Sequence, residues 1–149
     1  MALYIETKIR FDKMQENGIV KKVTERYLVN ALSFTEAEAR IIEEQTPFIS
    51  GDFSVSAVKK TNIAEIFSDQ SNGDRWYNCK VNFITVDEKT ASEKKKASHI
   101  LVLAHNFDDA LDNLKNGMKG TVSDYEIAGI TETDIMDVYP AKSSKADNE

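Results

Sequence analysis

The 149-residue sequence predicts an α+β fold built by internal duplication of a ββαβ unit, with antiparallel sheet, one main helix in each half and a pseudo-two-fold relation between the halves. Three matched blocks in the same order carry this. "LYIETKIRF" aligns with "RWYNCKVNF", Lys8 on Lys80, so the offset is 80 − 8 = 72. Leu28, Val29, Ala31, Phe34 and Ala37 then align with Leu101, Val102, Ala104, Phe107 and Ala110 at an offset of 73. "FSVSAVKKTNIAEIF" aligns with "YEIAGITETDIMDVY", again at 72. One residue is gained and lost between the blocks.

Each element follows from its pattern. Alternation over residues 3–11 places Leu3, Ile5, Ile9 and Phe11 on one strand face and Tyr4, Glu6, Lys8 and Arg10 on the other. "ENG", residues 16–18, signals a two-residue hairpin turn in which Asn17 and Gly18 both take positive φ. The second strand is expected from about Ile19 to Leu32. Ser33 is a helix N-cap, with Glu36 completing a capping box, and Phe34, Ala37 and Ile41 share the buried face.

In the second half Asn106 caps, Asp109 takes the place of Glu36, and Phe107, Ala110, Leu111, Leu114 and Met118 form the stripe. The acids Glu36, Glu38, Asp108 and Asp109 suit a first helical turn through the helix dipole, a structural rather than catalytic placement. "NGMKGT", residues 116–121, ends that helix. A third strand is expected over residues 53–60 and 125–131. The segments 61–67 and 133–139 read equally as strand or as short helical turn. The expected layout is a first repeat over 1–67, a linker at 68–74, a second repeat over 75–140 and a disordered tail at 141–149, with the repeats sharing one core.

A net charge of −6 and a pI near 5.0 set a field that repels phosphate backbones and anionic membranes. The halves do not divide that charge: residues 1–73 carry nine basic and eleven acidic side chains, and 74–149 carry ten and fourteen, so neither is a basic module. Cys79 is the only cysteine, which excludes an internal disulfide and a cysteine-rich zinc site and suits a reducing compartment. The start lacks the basic and apolar regions of a signal peptide, and no apolar run approaches the ~20 residues of a spanning helix. A cytoplasmic location with no membrane partner is expected.

Catalytic chemistry has little to stand on. The two histidines, His99 and His105, fall at a solvent-facing strand position and beside a helix cap, not next to a nucleophile. Cys79, His99, His105, Asp108 and Asp109 match no metal-ligand spacing, and neither phosphate-loop nor dinucleotide-binding glycine motif occurs. The expectation is a protein that is not an enzyme and carries no metal and no cofactor.

One arrangement is sharper. On the strand face opposite the apolar stripe, Tyr4, Lys8 and Arg10 alternate in the first half, and Trp76, Lys80 and Asn82 in the second. An aromatic with a basic residue four positions along the same face can stack a nucleobase and neutralise a phosphate. Lys59 and Lys60 extend the candidate binding set of Tyr4, Lys8, Arg10, Trp76 and Lys80, as could Lys94 to Lys96. The competing reading packs the aromatics against neighbours, with lysines covering the rim. A third makes them a self-association surface inherited from a homodimer.

"VNALSFTEAEARIIEEQTPFISGDFSV" and "GMKGTVSDYEIAGITETDIMDVYP" resemble a family known as domain of unknown function four-four-nine-four, and the resemblance runs from about Tyr4 to Tyr139. The family occurs in Bacteroidetes and their bacteriophages, including near replication genes. The resemblance therefore implies a bacterial cytoplasm and raises a nucleic-acid-associated role, but transfers no site residue.

The resulting expectation is an accessory binding module whose partner is single-stranded nucleic acid or a replication-type protein complex. Two alternatives stand beside it. One is a structural or protein-interaction module, homo-oligomeric or in a hetero-complex; the other is a small-ligand-binding protein or enzyme with its site between the repeats.

Overall fold

The structure, a computed structural model, describes residues 3–68 and 73–141. Residues 69–72 of the expected linker and 142–149 of the expected tail lie outside the described residues. Along the chain run β1 (Leu3–Met14), β2 (Val20–Ala31), α1 (Phe34–Gln45), a 3-10 turn (Thr46–Phe48), β3 (Phe53–Lys60) and β4 (Ile63–Phe67). The same succession, without the 3-10 turn, follows in β5 (Arg75–Val86), β6 (Glu93–Ala104), α2 (Phe107–Gly117), β7 (Asp124–Glu132) and β8 (Ile135–Tyr139). Among the described residues no helix is long and apolar enough to cross a membrane.

The fold is α+β, with two four-stranded, mainly antiparallel sheets. Their strand orders are β3-β1-β2-β8 and β4-β6-β5-β7. The segments left open between strand and helical turn are strands, β4 and β8, each joined in parallel to the other half's second strand. The compact units therefore differ from the sequence halves. Unit 1 holds β1, β2, α1, β3 and β8, and unit 2 holds β4, β5, β6, α2 and β7.

Each unit buries a hydrophobic cluster. Ile5, Ile9, Tyr27, Val29, Ala31, Ala37 and Ile41 cluster in unit 1. Tyr77, Cys79, Val81, Ile100, Val102, Ala104, Ala110, Leu114 and Met118 cluster in unit 2. Each helix lies on its own hairpin, where a fully buried Ile or Leu contributes about 2 kcal/mol, and Tyr139 and Phe67, each brought from the other half, pack against the two clusters.

The antiparallel pairs of the two units bulge at matching places. The β1–β3 register slips between Lys8 and Ile9, leaving Ser56 unpaired, and the β5–β7 register slips between Lys80 and Val81, leaving Ala128 unpaired. The extra residue resets the alternation, so Val55 opposes Ile9 and Val58 opposes Thr7 on the same helix-covered face.

The first turn is not the predicted two-residue type. Gly18 N–H donates to the Gln15 carbonyl, Gln15 and Ile19 pair, and only Gly18 has positive φ, at 84°. This is a three-residue loop closed by a left-handed glycine, and Asn17 contributes its side chain instead, accepting from Ile19 N–H at 3.0 Å. In the second hairpin Asp87 pairs with Ser92 and Ala91 is left-handed, at φ 59°. That loop has four residues, and since 87 − 15 = 72 and 92 − 19 = 73, it holds the residue gained between the first two blocks.

The helix starts follow the predicted chemistry with one change. Ser33 Oγ accepts from Glu36 N–H at 3.0 Å, and Asn106 Oδ1 from Asp109 N–H at 2.8 Å. The returning carboxylates reach one residue further back than a capping box requires. Glu36 accepts from Leu32 N–H at 3.1 Å, and the shorter Asp109 from His105 N–H at 2.9 Å.

A candidate ligand cleft in the first unit

The expected stacking face differs in its aromatic half. Trp76 lies on the face of β5 opposite α2 but is only 6% exposed, and Tyr4 is half-buried. Each of their backbone carbonyls accepts a threonine hydroxyl, Thr61 to Tyr4 at 2.7 Å and Thr133 to Trp76 at 2.8 Å. Arg10, Lys60 and Lys80 are exposed and Lys8 is half-buried.

Lys59 is also exposed, but its ammonium lies 3.3 Å from the Glu6 carboxylate, which Arg26 approaches at 3.6 Å. Arg26 in turn pairs with Asp134 at 3.1 Å. The face read as basic thus has a buried carboxylate among its cations. In unit 2 the matching pair holds no carboxylate, His99 Nδ1 and Asn78 Oδ1 lying 3.2 Å apart, so His99 is half-buried and hydrogen-bonded where a solvent-facing site was expected. Register places Lys60 beside Ile5, on the helix-covered side and away from Tyr4. Lys95 pairs with Glu126 at 3.1 Å.

Among the described residues no group of three or more His, Cys, Asp or Glu side chains could hold a metal ion. Cys79 is fully buried, and burial pushes its thiol up to about 11, far from the range of a reactive thiolate.

The helix side of unit 1 offers a different site. β1 and β2 have 12 residues each and span about 40 Å, whereas the 12 residues of α1 span only about 18 Å. The helix therefore leaves part of the hairpin uncovered, and β8 and the 3-10 turn flank what remains. The result is a cleft of about 370 Å³, within the usual range for small-ligand sites.

Tyr27 and Gln45, 6% and 4% exposed, and the half-buried Tyr139 form its deep part. The two phenol rings stack at 5.8 Å between centroids, 24° apart in plane. Gln45 Nε2 donates to the Tyr139 hydroxyl at 2.6 Å, and the Tyr27 hydroxyl donates to Glu25 at 2.8 Å. Phe11 and Ile49 add apolar lining, while Phe48 and Met136, 79% and 54% exposed, stand at the mouth. Lys13, Glu25 and Asp137 are the charged lining residues.

The field inside is negative. Burial first, then the hydrogen bond to Glu25 and its charge, push the Tyr27 phenol well above its ordinary range. Burial also raises Tyr139, followed by the charges of Asp137 and Glu44, against opposing contributions from Gln45 and Arg40. Arg40 is 7% exposed and held by Glu44 at 3.1 Å, while its Nε and Nη1 have no hydrogen-bond partner.

The places of Tyr27, Gln45 and Tyr139 are apolar in unit 2, whereas Asp137 has its match in Glu65 and Glu25 in Ser98. Thr7 pairs with Tyr27 as Cys79 pairs with Ile100, and Val29 with Tyr139 as Val102 with Phe67. Counting from the N-caps, 45 − 33 = 12 and 118 − 106 = 12, so Gln45 matches Met118. Phe67 lies over Gly117, where a Cβ would meet its ring. The sequence reading missed this site because β8 is about 90 residues from the helix end it meets. The visible signal was that Tyr27, Gln45 and Tyr139 stand where the other copy has Ile, Met and Phe.

The family described as Domain of unknown function (DUF4494) matches residues 3–141, and the chain belongs to it. No curated protein and no solved structure matches the chain.

Proposed function

We propose that this family member is a non-catalytic accessory binding module, made of two fused copies of one unit, with its ligand seat in the cleft of unit 1. The observation that carries the seat is the one-sided polarity of that cleft. Two phenols and an amide, Tyr27, Tyr139 and Gln45, stand where unit 2 has Ile100, Phe67 and Met118, and the Glu25 carboxylate stands where unit 2 has Ser98, while Asp137 keeps an acidic counterpart in Glu65. An apolar corner of similar volume is commonly no less stable than a half-buried polar one, so stability alone gives no reason for the exchange. Exposed Phe48 and Met136 at the mouth add apolar surface for a partner.

Duplication is supported by the matched strand orders, the bulges at Lys8 and Lys80 and the paired helix caps. The reciprocal places of β4 and β8 fit an ancestral homodimer that exchanged its last strands.

A protein partner is favoured over single-stranded nucleic acid. Base stacking needs an open ring, and Trp76 is 6% exposed, which leaves Lys8, Arg10, Lys60 and Lys80 as phosphate contacts without a platform. The test is a nuclear magnetic resonance titration of the methionine-methyl-labelled chain. Acetyl-phenylalanine amide is expected to move the Met136 methyl, in the cleft, and to leave Met118, in the core of unit 2. If oligothymidylate instead quenches Trp76 fluorescence in a salt-dependent way while Met136 stays still, the seat is wrong and the nucleic-acid reading replaces it.

A further inference from the structure

We infer that the occupant of the unit 1 cleft is a segment of a partner protein in which an apolar or aromatic side chain is followed by lysine or arginine. This rests on the cleft being the ligand seat, and adds the chemistry of what sits there. The apolar half of the inference comes from the lining. Phe11 and Ile49 lie inside, Phe48 and Met136 at the mouth, and a methionine thioether adapts to an aromatic or aliphatic side chain alike.

The basic half comes from charge. Glu25 and Asp137 face Lys13 within the lining, and next to it the Arg40 guanidinium is already held by Glu44, so the cleft keeps an excess of one negative charge. A phosphate or carboxylate would enter against that excess charge. A cation gains from both carboxylates, and from the phenol faces if it reaches them. The Asp137 carboxylate also accepts from the Val138 N–H at 2.8 Å, and Glu25 from the Tyr27 hydroxyl, which holds both groups in place before a ligand arrives. At about 370 Å³ the cleft holds one or two side chains, which suits a short segment of a protein and not a folded surface.

The experiment titrates the methionine-methyl-labelled full chain with three probes: acetyl-Phe-Lys-amide, acetyl-Phe-Glu-amide and acetyl-Phe-amide. The lysine probe is expected to shift Met136 and to bind about tenfold more tightly than the glutamate probe, a ratio that reversing one charge beside two carboxylates can supply. Glu25→Gln with Asp137→Asn keeps shape and hydrogen bonding and should bring that ratio close to one. Phe48→Ala should weaken all three probes alike.

If the lysine and glutamate probes bind the wild type equally, with Met136 shifting for both, the cationic partner is overturned and the seat stands. If none of the probes moves Met136, seat and partner fall together. If oligothymidylate moves Met136 at lower concentration than the lysine probe, the occupant is nucleic acid and the inference is wrong. Should Met136 shift with protein concentration alone, the occupant is a second copy of the chain, which also overturns it.

Discussion

Replacing the hydroxyl of Tyr139 tests how unit 1 tolerates a polar cluster where unit 2 is apolar. Tyr139→Phe removes the acceptor of a 2.6 Å hydrogen bond and leaves the Gln45 amide, 4% exposed, with an unpaired donor. An orphaned buried donor costs about 1–3 kcal/mol, and Tyr139 is only half-buried, so a loss of about 1–2 kcal/mol is expected. Gln45→Met alone should cost about 1 kcal/mol, since the phenol then loses its partner but keeps access to water. Together the two changes recreate the Phe67 and Met118 arrangement of unit 2, and the double variant should lie within about 0.5 kcal/mol of wild type. The coupling, about 2 kcal/mol, is read from urea denaturation followed by far-ultraviolet circular dichroism, with an unchanged m-value as the check that the same surface unfolds. Costs that simply add, to within about 0.5 kcal/mol, would refute the claim that these groups act as one pair.

Gly117→Ala should destabilise unit 2 by about 1–3 kcal/mol, because the new methyl drives into the Phe67 ring; Trp76 emission in urea is the readout. Gly18→Ala meets no neighbour, so its cost of about 1 kcal/mol would be purely the left-handed backbone, and Gly18→Asn should recover part of it in the same assay. The Cys79 thiol should resist Ellman's reagent at pH 8 in the folded chain. Its folded pKa is raised, to about 11 from an ordinary 9.0, so the stability it contributes is intact below pH 9 and is lost as pH rises toward 11. Comparing urea stability at pH 8 and pH 10.5 in wild type and Cys79→Ala isolates a drop of about 1–3 kcal/mol that the variant lacks. The Glu126 carboxyl should titrate below its ordinary range, chiefly through Asn82 and then Lys95, and Asn82→Ala should move it back up in a carboxyl-carbon titration.

Much of the fold was legible because its signals are short-range. Alternation in residues 3–11, the caps at Ser33 and Asn106 and the repeat offsets of 72 and 73 each depend on neighbours a few residues apart. The first turn was misread since Asn-Gly suits two loop lengths, and the choice fell to Asn17, whose side chain bonds Ile19 instead of its backbone turning left-handed. Basic and aromatic residues at strand spacing mark one face of β1 and β5, but spacing carries no information on whether Trp76 is covered, whether Lys59 has a carboxylate beside it or which side Lys60 takes.

By itself the sequence determined the two helices, the hairpins, the strand faces and the repeated order of elements, all set by periodicities of two and 3.6 residues and by capping chemistry. Only the tertiary structure decided that β4 and β8 join the sheet of the other half, because the pairing of five-residue strands depends on which edge is free and not on their own composition. That choice carries Tyr139 to Gln45 and Tyr27 from about 100 residues away, and the cleft exists for that reason.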